Sequence, residues 1–85
     1  MKRNYAVSQA QNEASIEIWK LLNNINLRGE FLWASNSTLE ITFYNKKDYE
    51  SALEFLSFEV PTDAHTLFGV GRELMIVIMY DEFSV

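Results

Sequence analysis

His65 is the one histidine in the chain, and the side chain whose ordinary pKa lies nearest neutrality. It follows Asp63 by two residues, just after the single proline, Pro61. A general base or a pH switch could be built on such a histidine. A Ser-His-acid triad, however, needs a nucleophile and an orienting acid to converge on it. Asp63-Ala64-His65-Thr66 instead has the composition of a surface turn, where the imidazole is solvated. Asp81 and Glu82 are adjacent carboxylates, the residue type that does general acid–base work. Neighbours at a strand end point to opposite faces, so the two do not form a pair. Asp63 with His65 gives two metal ligands where a site needs three or four. Gly69-Val70-Gly71 would have to open a helix to cradle a phosphate, and no helical pattern follows it. Cysteine is absent, which removes disulfides, thiolate metal sites and thiol catalysis together. The reading is of a chain that is not an enzyme and carries no cofactor or metal.

The charges say more. The 85 residues hold 12 acidic and 7 basic side chains, a net charge of -5. Up to residue 42 the two signs balance. The whole excess lies beyond it, in Asp48, Glu50, Glu54, Glu59, Asp63, Glu73, Asp81 and Glu82 against Lys46, Lys47 and Arg72. A nucleic-acid binder needs a basic footprint, so direct binding to nucleic acid is disfavoured. Acidic residues on one surface would steer a basic partner. The candidate acidic contacts are Glu50, Glu54, Glu59, Asp63, Asp81 and Glu82. The expected partner is a larger protein with a basic surface. Inhibitors and immunity factors of phages and mobile elements work in this way, some by imitating phosphate charge.

Aromatic residues supply the second candidate surface. A two-residue turn at Asn36-Ser37 in a hairpin over 30–44 would pair Ala34 with Leu39 and Leu32 with Ile41. Leu32 and Ala34 would then join Leu39, Ile41 and Phe43 in the core. Phe31, Trp33 and Tyr44 would be displayed on the opposite face, where an aromatic cluster makes a contact surface. A three-residue turn would shift the register by one and put Trp33 inside. Thr42-Phe43-Tyr44 on a strand followed by a helix also has the outline of an RNA-recognition module that stacks bases on a sheet. This defines the alternative reading, a nucleic-acid-binding or regulatory module, although the basic and glycine positions of its signature are missing.

The elements that must position these residues follow from periodicity and caps. Residues 8–24 predict a helix opened by the capping box Ser8-Gln9-Ala10-Gln11, with Ala10, Ala14, Ile18, Leu21, Leu22 and Ile25 on its apolar stripe. Trp19 extends that core face, and Asn23-Asn24 suits the helix end. Residues 46–57 predict a second helix capped by Asn45, burying Tyr49, Ala52, Leu53 and Leu56. A short strand at 66–69, a tight turn through Gly69–Arg72 and a strand at 73–80 complete the chain. The run Leu74–Tyr80 is apolar at successive positions, so both its faces should be covered. The sum is one α+β domain over 1–85: a single antiparallel sheet packed with two helices, in the order α-β-β-α-β-β. A further strand at Asn4–Val7 would make this the ferredoxin-like split unit. That unit puts its last strand at the sheet edge, whereas here the last strand is the most apolar.

No apolar run approaches the roughly 20 residues of a membrane helix, and the N-terminus lacks the apolar core of a signal peptide. A cytoplasmic protein is expected. A domain this small buries only about 60–65% of its unfolded surface, so association with itself or a partner would add what the core lacks. A homodimer is the simplest such association.

Overall fold

The structure, a computed structural model, describes residues 8–81. Two helices and four strands follow one another as α1 (Gln9–Asn24), β1 (Glu30–Ser35), β2 (Thr38–Thr42), α2 (Lys46–Phe58), β3 (Ala64–Val70) and β4 (Met75–Tyr80). The fold is α+β, and every strand pairing is antiparallel. The strand proposed at Asn4–Val7 lies outside the described residues.

Both helices begin where the sequence says they should. The Gln11 backbone N–H donates to Ser8 Oγ at 3.1 Å, and Gln11 Oε1 accepts from the Ser8 N–H at 2.9 Å. This reciprocal box satisfies two amides that a helix N-terminus leaves open. The box also has a second use. Gln11 is buried, and its amide nitrogen reaches the carbonyl oxygens of Asn36 at 3.2 Å and Ser35 at 3.5 Å. The cap of α1 is thereby tied to the β1–β2 turn. Asn45 caps α2, accepting from the Asp48 N–H at 2.8 Å. The end of α1 is a Schellman motif, with Leu27 N–H donating to Leu22 O and Asn26 N–H to Asn23 O. The left-handed residue in it is Asn26, at φ 60°, two positions beyond the expected Asn23-Asn24.

The strands lie in the order β1-β2-β4-β3. β4, the last strand, is interior, which explains its apolar run. The ferredoxin-like unit, with its last strand at an edge, is not the order the described strands make. Leu39 faces Ile78, and Ile41 faces Ile76 across the β2–β4 pairing. With Trp33, Phe43 and Tyr80 they form the sheet's side of the core. Ile18 and Leu22 of α1, and Tyr49, Ala52 and Leu56 of α2, close it from above. The expected α2 stripe is thus inside, with Leu53 half-buried at its margin.

The second face of β4 is different. Met75, Val77 and Met79 point away from the core, and their rows continue into Val70, Phe68 and Thr66 of β3. Val77 is buried but belongs to no part of the helix-facing cluster, and Met79 and Phe68 are exposed. Both helices therefore lie on one face of the sheet, while on the other face Val77 is nevertheless buried.

The hairpin turn is the expected two-residue Asn36-Ser37, with Ser35 opposite Thr38. Yet Trp33 pairs with Leu39 and Phe31 with Ile41, because Ala34 is an extra residue that the partner strand does not match. This bulge reverses the sides of every residue before it. Trp33 is buried, Phe31 is half-buried against the core, and Leu32 and Ala34 are exposed. The expected display of Phe31 and Trp33 beside Tyr44 is corrected accordingly.

Candidate functional site

Two open clefts collect the side chains of chemical interest. The first lies between α1 and the loop that leads into β3. Glu13 and Glu17, four residues apart on α1, share one face of that helix. Asp63 enters from the loop in a left-handed conformation, φ 65°, which a short polar side chain tolerates. Together with Ala10, Ala14, Thr62 and Tyr80 these acids line a cleft of about 360 Å³. The loop is pinned by Glu17, whose Oε2 accepts from both the Thr62 N–H and the Thr62 hydroxyl at 2.9 Å. Glu13 Oε2 accepts from the Gln9 amide at 3.2 Å.

The Tyr80 phenol lines this cleft beside the acids. Burial, then the charges of Glu17 and Asp63, push its pKa up to about 12. Each cause disfavours a phenolate, the last two because a further negative charge there would be repelled. The cleft therefore presents negative potential to whatever approaches. Its acids do not amount to a metal centre: no group of three or more acids or histidines among the described residues is arranged to hold an ion.

The acids singled out from sequence are dispersed around this feature. Asp63 lines the cleft. Glu50 pairs with Lys46 at 3.9 Å on the exposed side of α2. Glu54 borders a shallow depression of about 330 Å³ with Ser51, Phe55 and the exposed Phe58. Glu59 caps the end of α2 and Asp81 follows β4, both exposed. Glu82 lies outside the described residues. Sequence reasoning passed over Glu13 and Glu17, which sit in the charge-balanced half. Their spacing on one helix face was visible. Their meeting with Asp63 depends on how α1 lies against the loop.

The second cleft is aromatic. Trp19, Phe31 and Tyr44 line a recess of about 340 Å³ with Leu22, Leu27, Arg28 and Gly29. Trp19 is 56% exposed and does not extend the core as its helix position suggested. It takes the place expected of Trp33, so Phe31 and Tyr44 share their cleft with an indole from a different element. The Tyr44 hydroxyl donates to Glu30 Oε2 at 3.3 Å, and the Glu30 carboxylate raises the pKa of that phenol. His65 is exposed, its Nδ1 2.9 Å from the Thr66 hydroxyl.

Comparison with known protein families, with curated proteins and with solved structures finds no match to this chain. No helix among the described residues is long and apolar enough to cross a membrane.

Proposed function

We propose that the chain is a stoichiometric protein-binding module of the inhibitor or immunity type, which occupies a basic site on a larger partner. The observation that carries this reading is the convergence of Glu13, Glu17 and Asp63 on one open cleft in a protein of net charge -5. Carboxylates held by a folded scaffold attract a basic surface without paying much ordering entropy on contact. Such a surface can stand in for the phosphates of a nucleic acid, as a phage or mobile-element factor directed at a nucleic-acid-handling enzyme would require. The test is capture from a host lysate by the wild type and by an E13Q/E17Q variant, followed by mass spectrometry. A partner retained by the wild type, lost by the variant and released by salt supports the reading. A partner indifferent to both salt and the substitutions defeats it.

A second reading rests on the aromatic cleft. Exposed Trp19 and Tyr44 beside Arg28 offer stacking surfaces and a cation to a flat ring, such as an unpaired base. Titration with single-stranded oligonucleotides would quench Trp19 emission under this reading. An unchanged spectrum at physiological salt removes it.

A further inference from the structure

The end of α2 departs from the usual helix terminus in two ways. The first is apolar. Phe58 closes the helix with 87% of its surface exposed, and Val60 just beyond it is 67% exposed. An aromatic ring left in water keeps apolar area whose burial would be favourable. Ser51, Glu54, Phe55 and Phe58 follow i, i+3, i+4, i+7 spacing, so they share one side of the helix, where they line the open depression of about 330 Å³. Phe55 is packed against the core, whereas Phe58 stands clear of it.

The second departure is the sign of the charge. Backbone carbonyls make a helix C-terminus negative, and cations in the last turn stabilise it. α2 has no basic residue there. It places Glu54 one turn from the end and Glu59 at the C-cap instead. Both are exposed, and neither joins an ion pair among the described residues. Glu50 is offset by Lys46, but the helical neighbours of Glu54 are Glu50, Ser51, Ser57 and Phe58, none of them basic. The backbone adds to this. Pro61 has no amide to return to the Ser57 carbonyl, and the Thr62 amide goes to Glu17. An uncompensated negative helix end beside an exposed aromatic ring is complementary to a group that is both cationic and apolar.

We infer that this end of α2 is a docking site for a basic amphipathic segment of another protein. An apolar side chain of that segment enters the depression against Phe55 and Phe58, and its lysines or arginines reach Glu54, Glu59 and the terminal carbonyls. The same charges select against other occupants. A second copy docked here by two-fold symmetry would bring identical carboxylates together. An anionic lipid surface would be repelled by them. The site shares no lining residue with the acidic cleft, and the inference stands whether or not that cleft has a partner.

The test is NMR titration of the isotope-labelled full chain with a synthetic amphipathic helical peptide of leucine and lysine. Backbone amide shifts should concentrate on Ser51, Glu54, Phe55, Phe58 and Glu59. Phe58→Ala, at an exposed position, should leave the melting temperature nearly unchanged and weaken binding about tenfold, the loss expected of an aromatic anchor. Joint Glu54→Gln and Glu59→Gln substitution should weaken it about fivefold and flatten its salt dependence. The E13Q/E17Q variant should bind as the wild type does. A peptide of leucine and glutamate in the same pattern should not bind. Shifts that gather on Glu13, Glu17 and Asp63 overturn the inference while favouring the cleft as the contact surface. A wild type that ignores the lysine peptide overturns it too, as does Phe58→Ala binding as tightly as the wild type. So does binding of the glutamate peptide, or a self-association that Phe58→Ala abolishes.

Discussion

The Trp33 indole N–H donates to the Ser15 hydroxyl at 2.8 Å, joining the middle of β1 to the inner side of α1. The ring itself lies 5.8 Å from that of Tyr80, tilted by 43°, so one side chain links a helix and two strands that are not neighbours in the sheet. A buried indole placed in this way contributes through both its area and its hydrogen bond.

The two tryptophans should therefore behave oppositely on substitution. Trp33→Phe removes the bond to Ser15 and part of a buried ring, and is expected to cost about 1–3 kcal/mol. Trp19→Phe, at an exposed position, should change stability by no more than about 0.5 kcal/mol. Urea denaturation of both variants measures the difference. The emission spectra should divide in the same way, with the blue-shifted component lost in the first variant and the red-shifted component in the second.

Gln11 holds two structures together, the first turn of α1 and the β1–β2 turn. Gln11→Ala should cost about 1–2 kcal/mol, more than an exposed box residue would, because the buried Gln11 amide also ties the carbonyls of Ser35 and Asn36 to the helix start. Gln9→Ala, whose side chain is exposed on the same turn, serves as the control and should be near neutral. Thermal melts of the pair decide whether the tie to the hairpin matters.

Gly69 lies on the helix-facing side of β3, directly under α2. A Cβ there would run into the Tyr49 hydroxyl and come within 2.8 Å of Leu53 Cδ2. Both side chains are packed into or against the core, so neither yields cheaply. Gly69→Ala should destabilise by about 1–3 kcal/mol despite its size. Gly71→Ala meets nothing closer than 3.7 Å and should be well tolerated. Chemical denaturation of the two alanine variants gives the comparison.

Tyr80 predicts how the fold responds to alkali. Its pKa is about 12 in the native state against the ordinary 10.0. The unfolded chain therefore releases this proton first, and stability falls as pH rises from about 10 to 12. Below 10 the contribution is fully present. Lysines and the remaining tyrosines titrate in the same range, so the slope is to be compared between the wild type and Tyr80→Phe. The variant should show the shallower decline of melting temperature with pH. Parallel declines would mean that the Tyr80 hydroxyl titrates normally.

Much of this architecture could be read from local chemistry. The Ser8–Gln11 box, the Asn45 cap and the i, i+4 stripes act within a few residues of themselves, so the sequence displays them directly. The Asn36-Ser37 turn was legible for the same reason. The bulge at Ala34 was not, since alanine has no special preference for an unpaired strand position. That one residue decided which aromatics face outward. The interior position of β4 was foreshadowed by its apolar run, but the packing of both helices on one and the same face was not. The acidic cleft joins Asp63 to Glu13 and Glu17, segments some fifty residues apart in the chain. No local pattern encodes that approach; it follows from α1 settling over the loop that Glu17 then holds.

The place of β4 between β2 and β3 also orders events in time. The β1–β2 hairpin can form as soon as it is synthesised, since its partners are local. β3 emerges next and has nothing to pair with, because the strand that joins it to the hairpin is made last among those described. At about 5–20 residues per second of synthesis, β3 waits with both its edges open until β4 arrives. The sheet closes from its middle, and the last strand to appear completes it on both sides at once.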